Sequence, residues 1–545
     1  MSAGTESAVN HPRTVSQALI QLLSGYGINT AFGIPGTHTL ELYRALGQEG
    51  IRHVQCRNEQ GASLMADGYA RVAGKPALCT IVSGPGVTNA TTGIAQAYCD
   101  SVPMVVIAAA ASSVSQGKGW GTVHDLNDQR AVTAGFTGFS AMIVDPEELP
   151  ELVARAFGLF RSSRPRPVHF SIPHDLLGKP ELREWKARRA PAKPMPDPAA
   201  IQEAALLLSK AATPLILIGG GAIGTRDSLT RIAERLGAPV LTTNAGKGIL
   251  PESHRLSLGC SILQRASQEA LANSDVVLLV GSEVAEGDHF QPKLAIEGKI
   301  IRIDIDPVEL TSVYGAAVGI QSDAAAALSA LSVELERYEN PRGAAAGIER
   351  ARTIRTENAG TLSIAELRHA RLWRTVRAAL PDDTITFGDA TQLVYTGSFA
   401  LSVERERCWY YPGTYCSLGT ALPMAIGAKI AAPSRPVMAV AGDGGFLFTI
   451  NELATAAEEG LGLPILVWNN DALQEIADQM DRRAIPRIAV QPASPDFTLL
   501  ARGFGCQGLR AESSAHLMKS IRQSFELSVP TVIEIPANAR WIWES

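Results

Sequence analysis

Short runs that are apolar from end to end, each closed by a glycine-rich turn and followed by a longer helical stretch, constrain this chain more than any other feature. PALCTIVSG (76–84), VPMVVIAAAA (102–111), PLILIGGG (214–221), DVVLLVG (275–281), IIRIDID (300–306), VMAVAGDGG (437–445), PILVWNND (464–471) and TVIEIPA (531–537) have strand length and, IIRIDID apart, no regular polar–apolar alternation. Strands of that kind are buried on both faces, which a parallel sheet covered by helices on either side achieves. The expected fold is therefore α/β, with several Rossmann-like parallel sheets along the chain. Two composition shifts divide it. KPELREWKARRAPAKPMPDPAA (179–200) is rich in Pro, Lys and Arg and reads as a linker; YENPRGAAAGIERARTIRTENAG (338–360) is polar, poor in strand formers and reads as a second crossing segment. Three α/β domains follow, at 1–180, 195–335 and 360–545. No short-period repeat suggests a solenoid or propeller.

Composition narrows the function classes. Hydrophobic residues make up 46% and charged residues 19%, with 49 glycines, which fits a globular α/β protein and excludes a disordered or collagenous one. A net charge of −5 offers no basic surface for nucleic acid or anionic lipid. No apolar run reaches the roughly 18 residues that a membrane span needs. The N-terminal MSAGTESAVNHPRT has an acidic residue and no apolar core, so it reads as a short tail and not as a secretory signal. The seven cysteines (56, 79, 99, 260, 408, 416, 506) are scattered without a C-x-x-C pair, as expected of reduced thiols in a cytoplasmic protein.

The strongest local motif is AVAGDGGF (439–446), followed by WNND (468–471). A buried strand ends at Ala441, and Gly442, Gly444 and Gly445 let the chain turn and bring backbone N–H groups close to a ligand. Asp443 adds a carboxylate at that turn. The next strand ends in Asn469-Asn470, again at the carboxyl edge where α/β sheets bind ligands. A carboxylate and an amide oxygen on neighbouring strand ends make a hard-oxygen site suited to Mg²⁺ that keeps positions for phosphate oxygens. Taken singly, each motif could be an ordinary turn or strand cap. In the first domain, IRHVQCRNEQGASLMADGYARVAG (51–74) reads as strand, turn and helix with Glu59 at the helix start, a place the helix dipole alone favours for an acid. Ser83-Gly84-Pro85-Gly86 then leads into a helix expected to begin near Thr88 and Asn89.

Asp443 and Asn470, 27 positions apart, resemble the GDG…NN signature of thiamine-diphosphate enzymes. The first-domain segments resemble the pyrimidine domain of the acetolactate synthase and 2-oxo acid decarboxylase superfamily. That resemblance implies that Glu59 binds N1′ of the cofactor's aminopyrimidine, with Pro85 and Asn89 beside it. It also implies that Asp389, Ala390 and Thr391 meet the diphosphate, and that the Cys416 backbone faces the 4′-amino group with Ser417 alongside. Leu418 would wedge between the two rings. Asp443, Asn470 and the Ala472 carbonyl would hold Mg²⁺, with the Gly444 and Gly445 amides on the diphosphate. The likeness spans nearly the whole chain, including TTNAGKGILPE (242–252) and SDVVLLVGSEVAEGDHF (274–290) in the middle domain.

Gly219, Gly221 and Gly224 spell G-x-G-x-x-G after a strand, but the acidic residue a nicotinamide site needs is absent from the end of the next strand, PVLTTN. In acetolactate synthases the middle domain holds FAD; here FAD is possible but not expected. GIPGTHTLELYRAL (33–46), GKGWGTVHDLNDQRAVTAGFTGFS (117–140), RPRPVHFSIPHDLL (164–177) and DATQLVYTG (389–397) resemble one branch, the 5-guanidino-2-oxopentanoate (2-ketoarginine) decarboxylase-like group. Two departures stand out: Asn58 replaces the branch's His before the Glu, and Ala472-Leu473-Gln474 replaces a Gly-Tyr-Gly-type turn. An alanine at 472 would tolerate a positive φ less readily than glycine.

The reaction implied is loss of CO₂ from a 2-oxo acid. It ends either in protonation to an aldehyde or in attack on a second carbonyl, giving an acyloin or acetohydroxy acid. A non-catalytic role on the same scaffold would fit loss of Glu59 or Asp443, and both are present. His124, Asp125 and Glu475 are the residues that could decide the outcome. His124 reads as a proton donor near neutral pH or as a surface-loop histidine. Glu475, with Asp478 and Asp481, reads as a partner for a guanidinium or as a solvated helix face. The family's cross-subunit site implies a homodimer as the smallest active unit and a homotetramer as the expected solution form.

Overall fold

The computed structural model of the chain describes residues 13–339 and 343–544; the tail expected at the N-terminus lies, up to residue 12, outside the described residues. Three six-stranded sheets, parallel throughout, follow one another along the chain. The first holds β1 (Thr30–Gly33), β2 (Arg52–Gln55), β3 (Ala77–Ile81), β4 (Met104–Ala110), β5 (Phe139–Met142) and β6 (Val168–Pro173) in the order β2-β1-β3-β4-β6-β5. The second holds β7 (Leu215–Ile218), β8 (Val240–Thr242), β9 (Ser257–Gly259), β10 (Val276–Val280), β11 (Lys299–Asp304) and β12 (Val318–Gln321), ordered β12-β11-β10-β7-β8-β9. The third holds β13 (Ile385–Gly388), β14 (Trp409–Tyr410), β15 (Val437–Gly442), β16 (Pro464–Asn469), β17 (Gln507–Arg510) and β18 (Thr531–Pro536), ordered β14-β13-β15-β16-β18-β17.

The first and third sheets share one topology, and the middle one has the doubly wound order of dinucleotide-binding folds. The wholly apolar runs form the central strands, and β3, β4, β7, β10 and β15 are buried at every position. In sheets of this kind the crevice lies where strand order reverses, beyond the carboxyl ends. That point falls between β1 and β3 in the first sheet and between β13 and β15 in the third.

The outer domains are locked together within the chain. Helix Glu59–Ala73 lies along helix Ala421–Ala431 so closely that a Cβ at Gly68 would strike the Met424 carbonyl and one at Gly427 the Met65 carbonyl. Their apolar residues join in one core that includes Phe32, Leu64, Val106, Phe387, Ile426 and Ile465.

Two expectations change in detail. Of the segment read as a second crossing, 343–360 is an 18-residue helix. It packs on the middle domain, with Arg350 donating to the carbonyls of Pro214 and Ala270 and Asn358 Oδ1 accepting from Ala266 N. Its alanines, arginines and glutamates are strong helix formers, and polarity alone had suggested a linker. The helix after β3 begins at Pro85 and not near Asn89: proline suits the first helical position, and Gly84, at φ 64°, makes the turn ahead of it.

Candidate active site

Next to the third sheet's switch point, β15 and β16 run side by side, with Gly442 opposite Trp468, so the residues after them emerge together. At the GDG glycines the chain turns directly from strand into helix, one residue later than expected. The strand runs through Gly442, and Asp443 opens a short helix, Asp443–Leu447. Asp443 is buried, its Oδ1 accepting from Gly444 N at 2.9 Å and its Oδ2 from Ser494 Oγ at 3.1 Å. Burial raises its pKa. Asn469 is tied to the protein, donating to Glu534 Oε1 and accepting from Asp471 N and Ser494 Oγ. Asn470 Oδ1 meets only the Ala472 amide, at 3.2 Å. The positive φ falls at Asp471 (53°) and not at Ala472, so alanine at 472 carries no such strain.

Asp389, beyond β13, is spent on architecture. Its Oδ1 accepts from Ala390 N and its Oδ2 from Gly419 N, both at 2.8 Å, and burial pushes its pKa up to about 6. A Cβ at Gly445 would sit 3.0 Å from Asp389 Oδ2, so the Asp389–Thr391 loop, the GDG helix and the 416–419 turn form one tight unit. In that turn Cys416 holds a positive φ of 56°, and Ser417 and Leu418 are half-buried. Ser417 N lies 3.4 Å from Gln96 Oε1 of its own chain.

At the first sheet's switch point, Asn58 caps the helix Glu59–Ala73 by accepting from Gln60 N, and Glu59 is 8% exposed in the first turn. Asn89 Nδ2 donates to Glu59 Oε2 at 3.0 Å, and a Cβ at Gly86 would lie 3.4 Å from Glu59 Oε1. The structure thus brings Glu59, Asn89 and the Gly84–Gly86 turn together. It adds a residue the sequence reading missed. Glu452, fully buried, reaches from the third domain to accept from Arg57 N at 3.2 Å and Asn58 N at 3.0 Å, fixing the start of the helix that carries Glu59. Burial pushes Glu452 up to about 7. Set in the apolar run NELATAA, it offered no signal except an acid among core residues.

His124 is exposed at φ 60°, its carbonyl 2.6 Å from where a Gly84 Cβ would stand. It sits in a histidine cluster: His38 meets the His124 ring edge-on at 5.7 Å, stacks on His174 at 4.9 Å, and its Nδ1 pairs with Ser83 Oγ. Burial, with His174 and His124 nearby, lowers the His38 pKa. The Ser83–Gly86 turn therefore meets Glu59 at Gly86, the His38 imidazole at Ser83 and the His124 backbone at Gly84. Asp125 is half-buried and joins no contact with that cluster among the described interactions. Glu475 and Asp478 turn inward, both accepting from Gln392 Nε2, at 3.0 and 2.8 Å. Asp481 is separate, exposed and paired with Arg487.

The donor chemistry fits the groups the fold implies. Asp443, Asn470 and the Ala472 carbonyl supply one carboxylate and two neutral oxygens, as suits Mg²⁺ sharing its shell with a diphosphate. Among the described residues no group of three or more His, Cys, Asp or Glu side chains could hold a metal by itself. The middle domain fits a dinucleotide poorly. Its Gly219 and Gly221 press on Gly281, with Gly221 N donating to Gly281 O at 3.0 Å; a single 3-10 turn covers Gly220–Ala222 and the α-helix opens only at Arg226. Arg164 from the first domain then reaches Glu283 and Glu309 beyond β10 and β11, filling the edge a dinucleotide would use. No helix among the described residues is long and apolar enough to cross a membrane.

Comparison with known proteins agrees with this geometry. Residues 13–132 match the thiamine pyrophosphate enzyme N-terminal TPP binding domain, 201–331 the central domain and 389–535 the C-terminal TPP binding domain. The chain is 46% identical over 525 residues to a probable 2-ketoarginine decarboxylase, AruI, of Pseudomonas aeruginosa, covering 96% of this chain and 94% of that protein. It is 31% identical over 553 residues to the acetolactate synthase isozyme 1 large subunit of Escherichia coli (99% and 96% covered). The acetolactate synthase large subunit of Corynebacterium glutamicum is 32% identical over 560 residues (97% and 87% covered). With a glutamate fixed at one switch point, an oxygen-donor pair at the other and matches to all three domains, the chain belongs to the thiamine-pyrophosphate enzymes, as an enzyme of the decarboxylase and acetolactate synthase type.

Proposed function

We propose that this enzyme uses thiamine diphosphate and Mg²⁺ to decarboxylate a cationic 2-oxo acid, 5-guanidino-2-oxopentanoate being the expected substrate. The reaction consumes one proton: R–CO–COO⁻ and H⁺ give R–CHO and CO₂. The observation that carries the cofactor reading is Glu59, buried and held by the Asn89 amide at the crevice of the first sheet. When bound, thiamine diphosphate supplies the electron sink that lets the C1–C2 bond of a 2-oxo acid break.

The chain's own residues do the rest. Glu59 holds and returns a proton at the pyrimidine N1′, and Glu452 keeps the start of its helix in place. Asp443 and Asn470, with the Ala472 carbonyl, hold Mg²⁺, and Ser494 orients Asp443. Asp389 stiffens the turn that presents Cys416, Ser417 and Leu418. To His124, beside Gly84 of the Ser83–Gly86 turn, we assign the donation of the proton that completes the aldehyde. The identity to the probable 2-ketoarginine decarboxylase and the inward-facing Glu475 and Asp478 support a cationic substrate. The acetolactate synthase relatives favour the second reading, carboligation to an acetohydroxy acid.

The proposed active unit is a homodimer whose partners each give one half of a site, paired into a tetramer. In one chain the 416–418 turn lies at Gln96, roughly 10 Å along the helix from Asn89 at a rise of 1.5 Å per residue. Trp120, Val123, Tyr415 and Phe448 are exposed on the loops that carry the site, an apolar surface suited to a second copy. A cytoplasmic location goes with this reading. CO₂ release from 5-guanidino-2-oxopentanoate that stops on removing either thiamine diphosphate or Mg²⁺, and returns on adding both, is the expected result. Release independent of thiamine diphosphate would refute the proposal.

A further inference from the structure

We propose that Phe290, Tyr395 and Tyr411, beside Gln392, Glu475 and Asp478, form the pocket that selects a guanidinium group at the far end of the substrate; this rests on the cationic 2-oxo acid reading above. The three rings form a row. Phe290 meets Tyr395 edge-to-face at 5.5 Å, and Tyr395 meets Tyr411 in the same way at 5.8 Å. They come from two domains: Phe290 ends the short helix Glu286–His289 of the middle domain, while the tyrosines belong to the third. The placement is rigid, because the backbone at Gly287 packs so tightly on Gly413 that a Cβ there would strike its carbonyl.

The row borders the cofactor half-site through its two tyrosines. Tyr411 Oη lies 3.3 Å from Cys416 Sγ, in the turn that includes Ser417 and Leu418. Tyr395 is one helical turn beyond Gln392 on helix Gln392–Ala400, and so shares a face with it. Gln392 Nε2 donates to Glu475 Oε2 and Asp478 Oδ2 together, while Arg482 and Gln479 hold Glu475 Oε1 and Gln474 holds Asp478 Oδ1; one arm of a substrate guanidinium would take the place of the Gln392 amide between the two free-facing oxygens. Burial raises the Tyr395 phenol well above its usual range, and the Cys416, Glu475 and Asp389 groups add to it, so the hydroxyl stays neutral beside those acids.

Carboxylates alone would take any cation. Rings beside them favour one that is flat, delocalised and weakly hydrated, which describes a guanidinium better than an ammonium. Phe290 is 52% exposed, so one ring of the row remains open to an incoming group.

The test compares 5-guanidino-2-oxopentanoate with its neutral isostere, 5-ureido-2-oxopentanoate, by the ratio of their kcat/KM values in one holoenzyme preparation. The ratio within a variant cancels differences in active fraction. Wild type is expected to favour the guanidino acid by tenfold or more. Phe290→Leu and Tyr395→Leu should each bring the ratio down several-fold while thiamine diphosphate affinity by calorimetry is kept, and Tyr395→Phe should retain it. Leucine variants that keep the wild-type ratio would overturn the pocket and leave the substrate reading intact. A wild-type ratio near one would overturn the cationic-substrate reading, and the pocket with it.

Discussion

Glu452→Gln should flatten the pH dependence of stability. Glu452 is fully buried and its carboxyl is pushed from an ordinary value of 4.5 to about 7. The folded protein therefore holds a proton that the unfolded chain has lost between about pH 4.5 and 7, so stability falls as pH rises through that window. A raised carboxyl of this size costs about 3 kcal/mol at pH 8 relative to pH 4.5, at ~1.4 kcal/mol per pKa unit. Glutamine keeps an oxygen for the Arg57 and Asn58 amides and gives an N–H₂ for Thr455 Oγ1, which now donates to Glu452 Oε2 at 2.8 Å. The variant should thus match wild type near pH 5 and exceed it at pH 8. Glu452→Ala should lose stability at both, by roughly 2–5 kcal/mol, because two backbone N–H groups are left unsatisfied. Urea unfolding of the holoenzyme followed by tryptophan fluorescence, at pH 5 and pH 8, reads these differences. Wild type and Glu452→Gln changing in parallel with pH would refute the assignment of a protonated, buried Glu452.

Asp443→Ala should abolish thiamine diphosphate binding, since it removes the one carboxylate of the proposed Mg²⁺ donor set; calorimetry with undiminished affinity would sink the metal assignment. Glu59→Gln should still bind the cofactor but exchange its thiazolium C2 proton far more slowly, and an unchanged rate by NMR would rule out the Glu59 role. Mixing Glu59→Gln with Asp443→Ala subunits should restore about a quarter of the sites, because a random heterodimer has one intact and one doubly damaged site. With subunit exchange verified, a mixture as inactive as its parents would exclude the cross-subunit site. The purified protein should be colourless, because Arg164 and the Gly219–Gly281 contact fill the dinucleotide edge; a stoichiometric flavin spectrum would contradict that reading.

The α/β architecture was legible because central strands buried on both faces must be apolar throughout, as β4 and β15 are. Glu59, Asp443 and Asn470, the residues proposed for the site, could be singled out because they lie at strand ends and helix starts, where local sequence carries the signal. What escaped depends on contacts between distant segments. Glu452 acts on the helix start almost 400 positions away, and Ser494 reaches Asp443 from a loop with no motif of its own. His38 and His174 join His124 only through topology, from the ends of β1 and β6. Residues 343–360 misled because polar helices and polar linkers share a composition and differ only in what they pack against. The G-x-G-x-x-G match was local too: Gly219 and Gly221 serve a close approach to Gly281, and Gly224 a positive φ of 86°.

The central claim is tested most directly by giving the holoenzyme, with thiamine diphosphate and Mg²⁺, equal concentrations of 5-guanidino-2-oxopentanoate and pyruvate, and identifying products by mass spectrometry. The account predicts preferential loss of the guanidino acid, one CO₂ per molecule consumed, and the matching guanidino aldehyde as product. Faster use of pyruvate with acetolactate as the product would contradict it.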